Sequence, residues 1–177
     1  MIDMSKTLFA LALAGVCLTS TLVYADNVDL ALEAFHGTCL AHGPDFERTV
    51  AAAGKLGWAP LSGDDFPSVG SPDAIQGWVA TGDDMPAKAM IAVAKATLNG
   101  KAVQTCSITL FNIDRAAFEE RFFARTDAVK IGEERNVTQV SKLYILIAGN
   151  RKQLVHLTWP RSRITSNMII ASSIADD

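Results

Sequence analysis

The stretch "MIAVAKATLNGKAVQTCSITLF", residues 90–111, holds two runs of apolar and β-branched residues on either side of Asn99-Gly100. Asn-Gly accepts the left-handed backbone that a two-residue hairpin demands, so the runs read as antiparallel strands at about 88–99 and 102–111. Side chains alternate across a strand, which puts Cys106 in phase with Ile108 and Leu110 on one apolar face.

Working outward, Asp114 has the character of a helix N-cap. Ile113 before it and Phe118 after it form a hydrophobic staple. The helix that follows turns Phe118 and Phe122 inward and ends near Arg125. From Ala128 the pattern returns to strands: "AVKIGEER", then "TQVSKLYILIAG" and "RKQLVHLTW" around Gly149-Asn150, then "RITSNMIIASSI".

On the N-terminal side, Val28, Leu32, Phe35 and Cys39 recur as a single apolar stripe of an amphipathic helix. Gly43-Pro44 ends that helix, and a second, about 45–56, carries Phe46, Val50 and Ala53 before Gly57 stops it. Residues 57–87 differ, with four prolines, five glycines, five aspartates and no lysine or arginine. They read as a long loop region with a short strand at "QGWVAT". The expected fold is α+β: an antiparallel sheet of five to six strands, with two N-terminal helices and one inserted helix packed on one face. One globular domain is expected over residues 26–177.

Residues 1–25 read as a cleaved signal peptide, whose features lie in "SKTLFALALAGVCLTSTLVYA" at 5–25. Lys6 supplies the positive start, Leu8 to Val16 the apolar run, and Val23-Tyr24-Ala25 the small residues before a cut between Ala25 and Asp26. The run is too short for a bilayer span of about 20 residues. Asp3 fits such a leader poorly, which makes Met4 an alternative start to Met1. Cys17 follows Val16 rather than a small residue and so reads as leader filler, not a lipid-attachment site. The expectation is a periplasmic or secreted protein with no membrane span after cleavage.

That compartment frames the two remaining cysteines, Cys39 and Cys106. In an oxidising environment an even count favours a disulfide, and both side chains sit on core-facing stripes. The flanking His36 and His42 raise a metal reading and a catalytic-thiol reading. On a helix, however, the two imidazoles lie about 120° apart around the axis and about 9 Å apart along it, too far for one ion. A reactive thiolate needs exposure, which a buried stripe denies Cys39. A Cys39–Cys106 disulfide is the expectation, with His36 and His42 on the helix surface.

"GDDFP" at 63–67 and "GDDMP" at 82–86 repeat one form. Asp64, Asp65, Asp83 and Asp84, with Asp73, offer carboxylates for a Ca²⁺ ion, yet Gly-Asp and Pro are also what tight turns use. No calcium-loop spacing with a terminal glutamate is present, so turns are the reading and no metal or other cofactor is expected. The net charge of −3 offers no footprint for nucleic acid. Charge is segregated along the chain: residues 26–120 hold thirteen acids and six bases, residues 121–165 nine bases and three acids.

Common catalytic signatures are missing, among them Gly-x-Ser-x-Gly, His-Glu-x-x-His, Cys-x-x-Cys and the Walker loop. His156 alternates with Leu154 and Thr158 on a strand and is the leading candidate base if the chain is an enzyme. Glu119-Glu120 and Glu133-Glu134 are adjacent pairs whose carboxylates point apart. Trp58, Trp78 and Trp159 read as core residues, and Asn136-Val137-Thr138 matches a glycosylation acceptor.

A leader, a helix ending in Phe-x-x-Thr-Cys-Leu at 35–40, Gly57-Trp58 and a second cysteine on a later strand together resemble small exported proteins of Gram-negative bacteria that have no assigned activity. The resemblance implies a periplasmic location and carries over no functional residue. The expected function is a non-catalytic binding or inhibitor-type module that meets a protein partner of the cell envelope through its surface. The alternatives are a hydrolase or transferase with a site assembled from scattered residues, and a metal-binding protein using the Asp-rich loops.

Overall fold

The computed structural model describes residues 20–62, 72–161 and 167–177. In chain order it runs α1 (Ser20–Phe35), a π-helical turn (His36–Leu40), α2 (Phe46–Leu56), β1 (Ala59–Pro60), β2 (Ala74–Ala80), β3 (Ala89–Leu98), β4 (Lys101–Phe111), α3 (Arg115–Arg125), β5 (Val129–Arg135), β6 (Gln139–Ala148), β7 (Arg151–Pro160) and β8 (Met168–Asp176). All eight strands form one antiparallel sheet in the order β1-β2-β3-β4-β8-β7-β6-β5.

Two meanders, β1–β4 and β5–β8, are joined by α3, which carries the chain from the middle of the sheet to its far edge. The meanders meet where β8 pairs with β4. Hairpin chemistry sets the register. Asn99 and Gly100 have φ of 51° and 76°, Gly149 and Asn150 have 57° and 63°, and each pair closes a two-residue turn.

The expected count of five to six strands is corrected to eight. Part of the excess lies in the region read mainly as loop, where Ala59–Pro60 pairs with Val79 and Trp78; the short strand expected there at "QGWVAT" is Ala74–Ala80, paired along its whole length with β3. Ile75, Gln76 and Gly77 interrupt the apolar alternation of β2, because only its second half faces the core. Backbone pairing with β3 makes this a strand despite its composition.

The helices are as expected in number and place, on one face of the sheet. Asp45 caps α2 by accepting from Arg48 N at 2.8 Å, and Gly57 ends it at φ 66°. Asp114 caps α3, accepting from Ala116 N and Ala117 N. Val28, Leu32 and Phe35 of α1 and Phe118 and Phe122 of α3 are buried against Cys106, Ile108 and Leu110 of β4 and Tyr144 of β6. Each large side chain so buried contributes about 1.5–3 kcal/mol. Cys39 and Cys106 are disulfide-bonded, with Cα atoms 5.3 Å apart, which ties the π turn to the middle of the sheet.

Candidate functional site

The second face of the sheet is the one no described helix covers. Register across the strands gives its rows. One runs from Ile75 through Ala94, Thr105, Ile174, Leu154 and Ile145 to Val129. The next runs from Gly77 through Ala92, Ser107, Ser172, His156 and Leu143 to Gly132. A third runs from Val79 through Met90, Thr109, Ile170, Thr158 and Ser141 to Glu134.

The solvated side of an antiparallel sheet ordinarily alternates to polar and charged residues. Here the inner strands carry aliphatic, alanine, serine and threonine residues, mostly half-buried by one another. Charge is confined to strand ends and the edge strand, at Lys101, Lys152, Asp176 and Glu134. An uncharged middle within a charged rim is the anatomy of a protein interface rather than of a solvated surface.

His156 sits near the centre of this face. Its Nε2 lies 3.4 Å from Thr158 Oγ1, which is 3.3 Å from Ser141 Oγ. Ser172, its cross-strand neighbour, is 2.8 Å from Ser107 Oγ. Burial lowers the pKa of His156, while the Glu134 carboxylate acts in the opposite direction. The ring is therefore neutral at pH 7. Among the described residues no carboxylate is bonded to the imidazole, so the hydroxyls around it lack the oriented base of a nucleophilic triad.

A second feature lies on the helix side. Two adjoining hollows, of about 460 Å³ and about 270 Å³, share His36, Leu40, Arg125 and Thr126 between the π turn and the end of α3. Arg125 is their one arginine, and Asp29 and Glu33 hold it, at 2.8 Å and 3.6 Å. Arg121 also pairs with Asp29. Folding thus brings bases from the basic stretch of sequence onto the acids of α1, and the charge segregation seen along the chain does not persist there as separate faces.

The remaining predicted residues have structural places. His36 and His42 are exposed, as expected, and Cys39 is fully buried. Ala25 and Asp26 fall within α1. Asp64 and Asp65 lie outside the described residues, as does most of the leader. Residues 82–86 form a turn closed by Met85 N to Gly82 O at 3.2 Å. Among the described residues no three His, Cys, Asp or Glu side chains converge as metal ligands, and no helix is long and apolar enough to cross a membrane.

Asn136 Oδ1 accepts from Thr138 N, Thr138 Oγ1 and Gln139 N, the work of a turn residue. Trp58 and Trp78 are buried, and Trp159 packs beneath Arg115 and Lys142. Glu119 accepts from Lys142 and from the Tyr144 hydroxyl, whereas Glu133 is held down to about 2 by Lys130 and Arg135. The two glutamates of each adjacent pair do part company.

The open face itself escaped the sequence reading. Its signal was present in "YILIAG", where both phases of the alternation are apolar, as a strand covered on both sides would be.

Fold and face together define an α+β protein with helices on one side of an eight-stranded antiparallel sheet and an uncharged, exposed second side. Compared with protein-family models, curated proteins and solved structures, the chain matches none.

Proposed function

We propose that the chain is an exported, non-catalytic binding module of the inhibitor type, working in the periplasm or outside the cell, with the helix-free sheet face as its protein-binding surface. The observation that carries this is the charge-free middle of that face across seven strands. The leader-like residues 5–25 and a disulfide, which persists in oxidising compartments, support export.

Two measurements test it. Intact mass of the exported chain is expected to begin at Asp26; a form retaining the leader or beginning at Cys17 would overturn the export reading. Ile145→Glu places a charge in the middle of the face and is expected to abolish capture of a specific envelope protein that the unaltered chain retains. Equal capture by both chains would move the binding surface elsewhere.

An enzymatic reading has one observation in its favour, the neutral His156 among four hydroxyls. Conversion of a hydrolase substrate panel that disappears with His156→Ala would establish it over the binding reading.

A further inference from the structure

We infer that the helix-free face binds a second copy of this chain, forming a two-fold dimer of sheets whose axis runs along β8. The inference rests on the reading of this face as a protein-binding surface and names its partner.

Its basis is the pattern of side-chain size about β8, the middle of the seven strands from β2 to β5. A two-fold axis along β8, lying between two stacked sheets, keeps each row in place and exchanges the two sides of the sheet. It therefore lays β3 over β6 and β4 over β7 of the other copy. On this face β3 presents Ala92 and Ala94, and in the same two rows β6 presents Leu143 and Ile145. Two alanines on one side thus receive two large aliphatic side chains from the other, twice over.

The adjacent strands agree. Ser107 of β4, whose hydroxyl donates to Ser172 within its own chain, comes opposite His156 of β7, a small side chain facing a large one. In the next row Thr105 comes opposite Leu154, again small against large. Ile170 and Ile174 of β8 lie at the axis and meet their own copies. Val129 of β5 and Ile75 of β2, which come opposite one another at the two ends of a row, are 63% and 42% exposed.

The dimensions also fit. Seven strands about 4.8 Å apart and roughly six residues of each cover on the order of 600 Å² in plan. With side-chain relief this approaches the about 800 Å² per partner of an ordinary specific interface. An axis along β8 leaves the central strands of the two copies parallel, within the about 30° that aligned sheets stacked about 10 Å apart allow. The helices would lie outermost on both sides.

The test is sedimentation equilibrium on the exported, oxidised chain, with far-UV circular dichroism and thiol titration to confirm that each variant is folded and bridged. The unaltered chain is expected at twice the monomer mass. Ala94→Lys alone and Ile145→Glu alone are each expected at the monomer mass, because each buries two unpaired like charges symmetrically. Mixing the two variants is expected to restore the doubled mass. Within one chain these residues are four strands apart, about 19 Å, so only pairing between copies can rescue them. If either variant fails to fold, Ala92→Lys and Leu143→Glu, in the neighbouring row, serve in its place.

A monomeric wild-type chain that captures an envelope protein, with capture lost in Ile145→Glu, overturns the dimer and leaves the binding face standing. A dimer that both single variants leave intact overturns both. Monomeric singles whose mixture stays monomeric overturn the β3-over-β6 pairing and with it the proposed axis.

Discussion

Gln153 donates its side-chain amide to the carbonyl of Leu40 at 2.8 Å, linking a fully buried position of β7 to the end of the π turn. Its own side-chain oxygen accepts the Ser173 hydroxyl of β8 at 2.6 Å. All three groups are out of water, so no solvent replaces Gln153. Gln153→Leu leaves the Ser173 hydroxyl without its acceptor and the Leu40 carbonyl with only its Gly43 N–H donor, and is expected to cost roughly 1–3 kcal/mol. A urea midpoint unchanged from wild type would show that the turn is not held this way.

The disulfide closes a separation of 67 residues. Replacing Cys39 and Cys106 together by serine is expected to lower stability by about 4 kcal/mol on the chain-entropy account. Equilibrium unfolding of the double variant beside the oxidised wild type measures it, and a loss under about 1 kcal/mol would contradict that account.

Lys142, Glu119 and Tyr144 form one cluster under the Trp159 ring. Lys142 is 16% exposed and Glu119 21%, intermediate between a surface pair and a core pair. Glu119→Gln removes the partner charge of Lys142 and is expected to cost about 2 kcal/mol. Tyr144→Phe removes one hydrogen bond and is expected to cost about 1 kcal/mol. Burial and the Glu119 carboxylate both push the Tyr144 hydroxyl upward, so a tyrosinate absorbance change at alkaline pH is expected only on unfolding. Earlier titration of this tyrosine would break the picture.

His156 titrates lower in the folded chain than its ordinary value of 6.5, chiefly because burial disfavours its charged form. The unfolded chain therefore binds more protons as the pH falls, and the contribution of His156 is full above about 6.5 and lost as pH drops through its folded value. Wild type is expected to lose stability between about pH 7 and the acid side of this range, and His156→Asn to lose less. Parallel urea midpoints for the two chains at several pH values decide it; identical slopes would show that His156 is not the group responsible.

How far these features could be read from the residues depends on their range. Asn99-Gly100, Gly149-Asn150, the Asp114 cap and the Gly57 stop act over a few residues, and hairpins and helices followed from them. The Cys39–Cys106 bond was legible because two local stripes, one of period 3.6 and one of period 2, each presented a sulfur inward. The strand count was not, since two-residue β1 owes its state to pairing with β2 rather than to its own composition, and β2, legible only as a short strand at "QGWVAT", is set at Ala74–Ala80 by pairing with β3. The open face was hidden for a related reason. Which strands lie beside one another is a matter of topology, and only the order β3-β4-β8-β7-β6 lines up Ala92 and Ala94 of one strand with Leu143 and Ile145 of another.

The strand at the centre of the sheet is also the latest of the eight in chain order. Until β8 arrives, β4 and β7 each present a bare row of backbone donors and acceptors, and neither meander has its central neighbour. Both cysteines precede it, so the sulfur bond can form while the sheet is still in two halves. Closure then depends on pairing across long stretches of chain, which slows folding. A truncation before residue 168 would therefore release two sticky half-sheets instead of a slightly shorter protein.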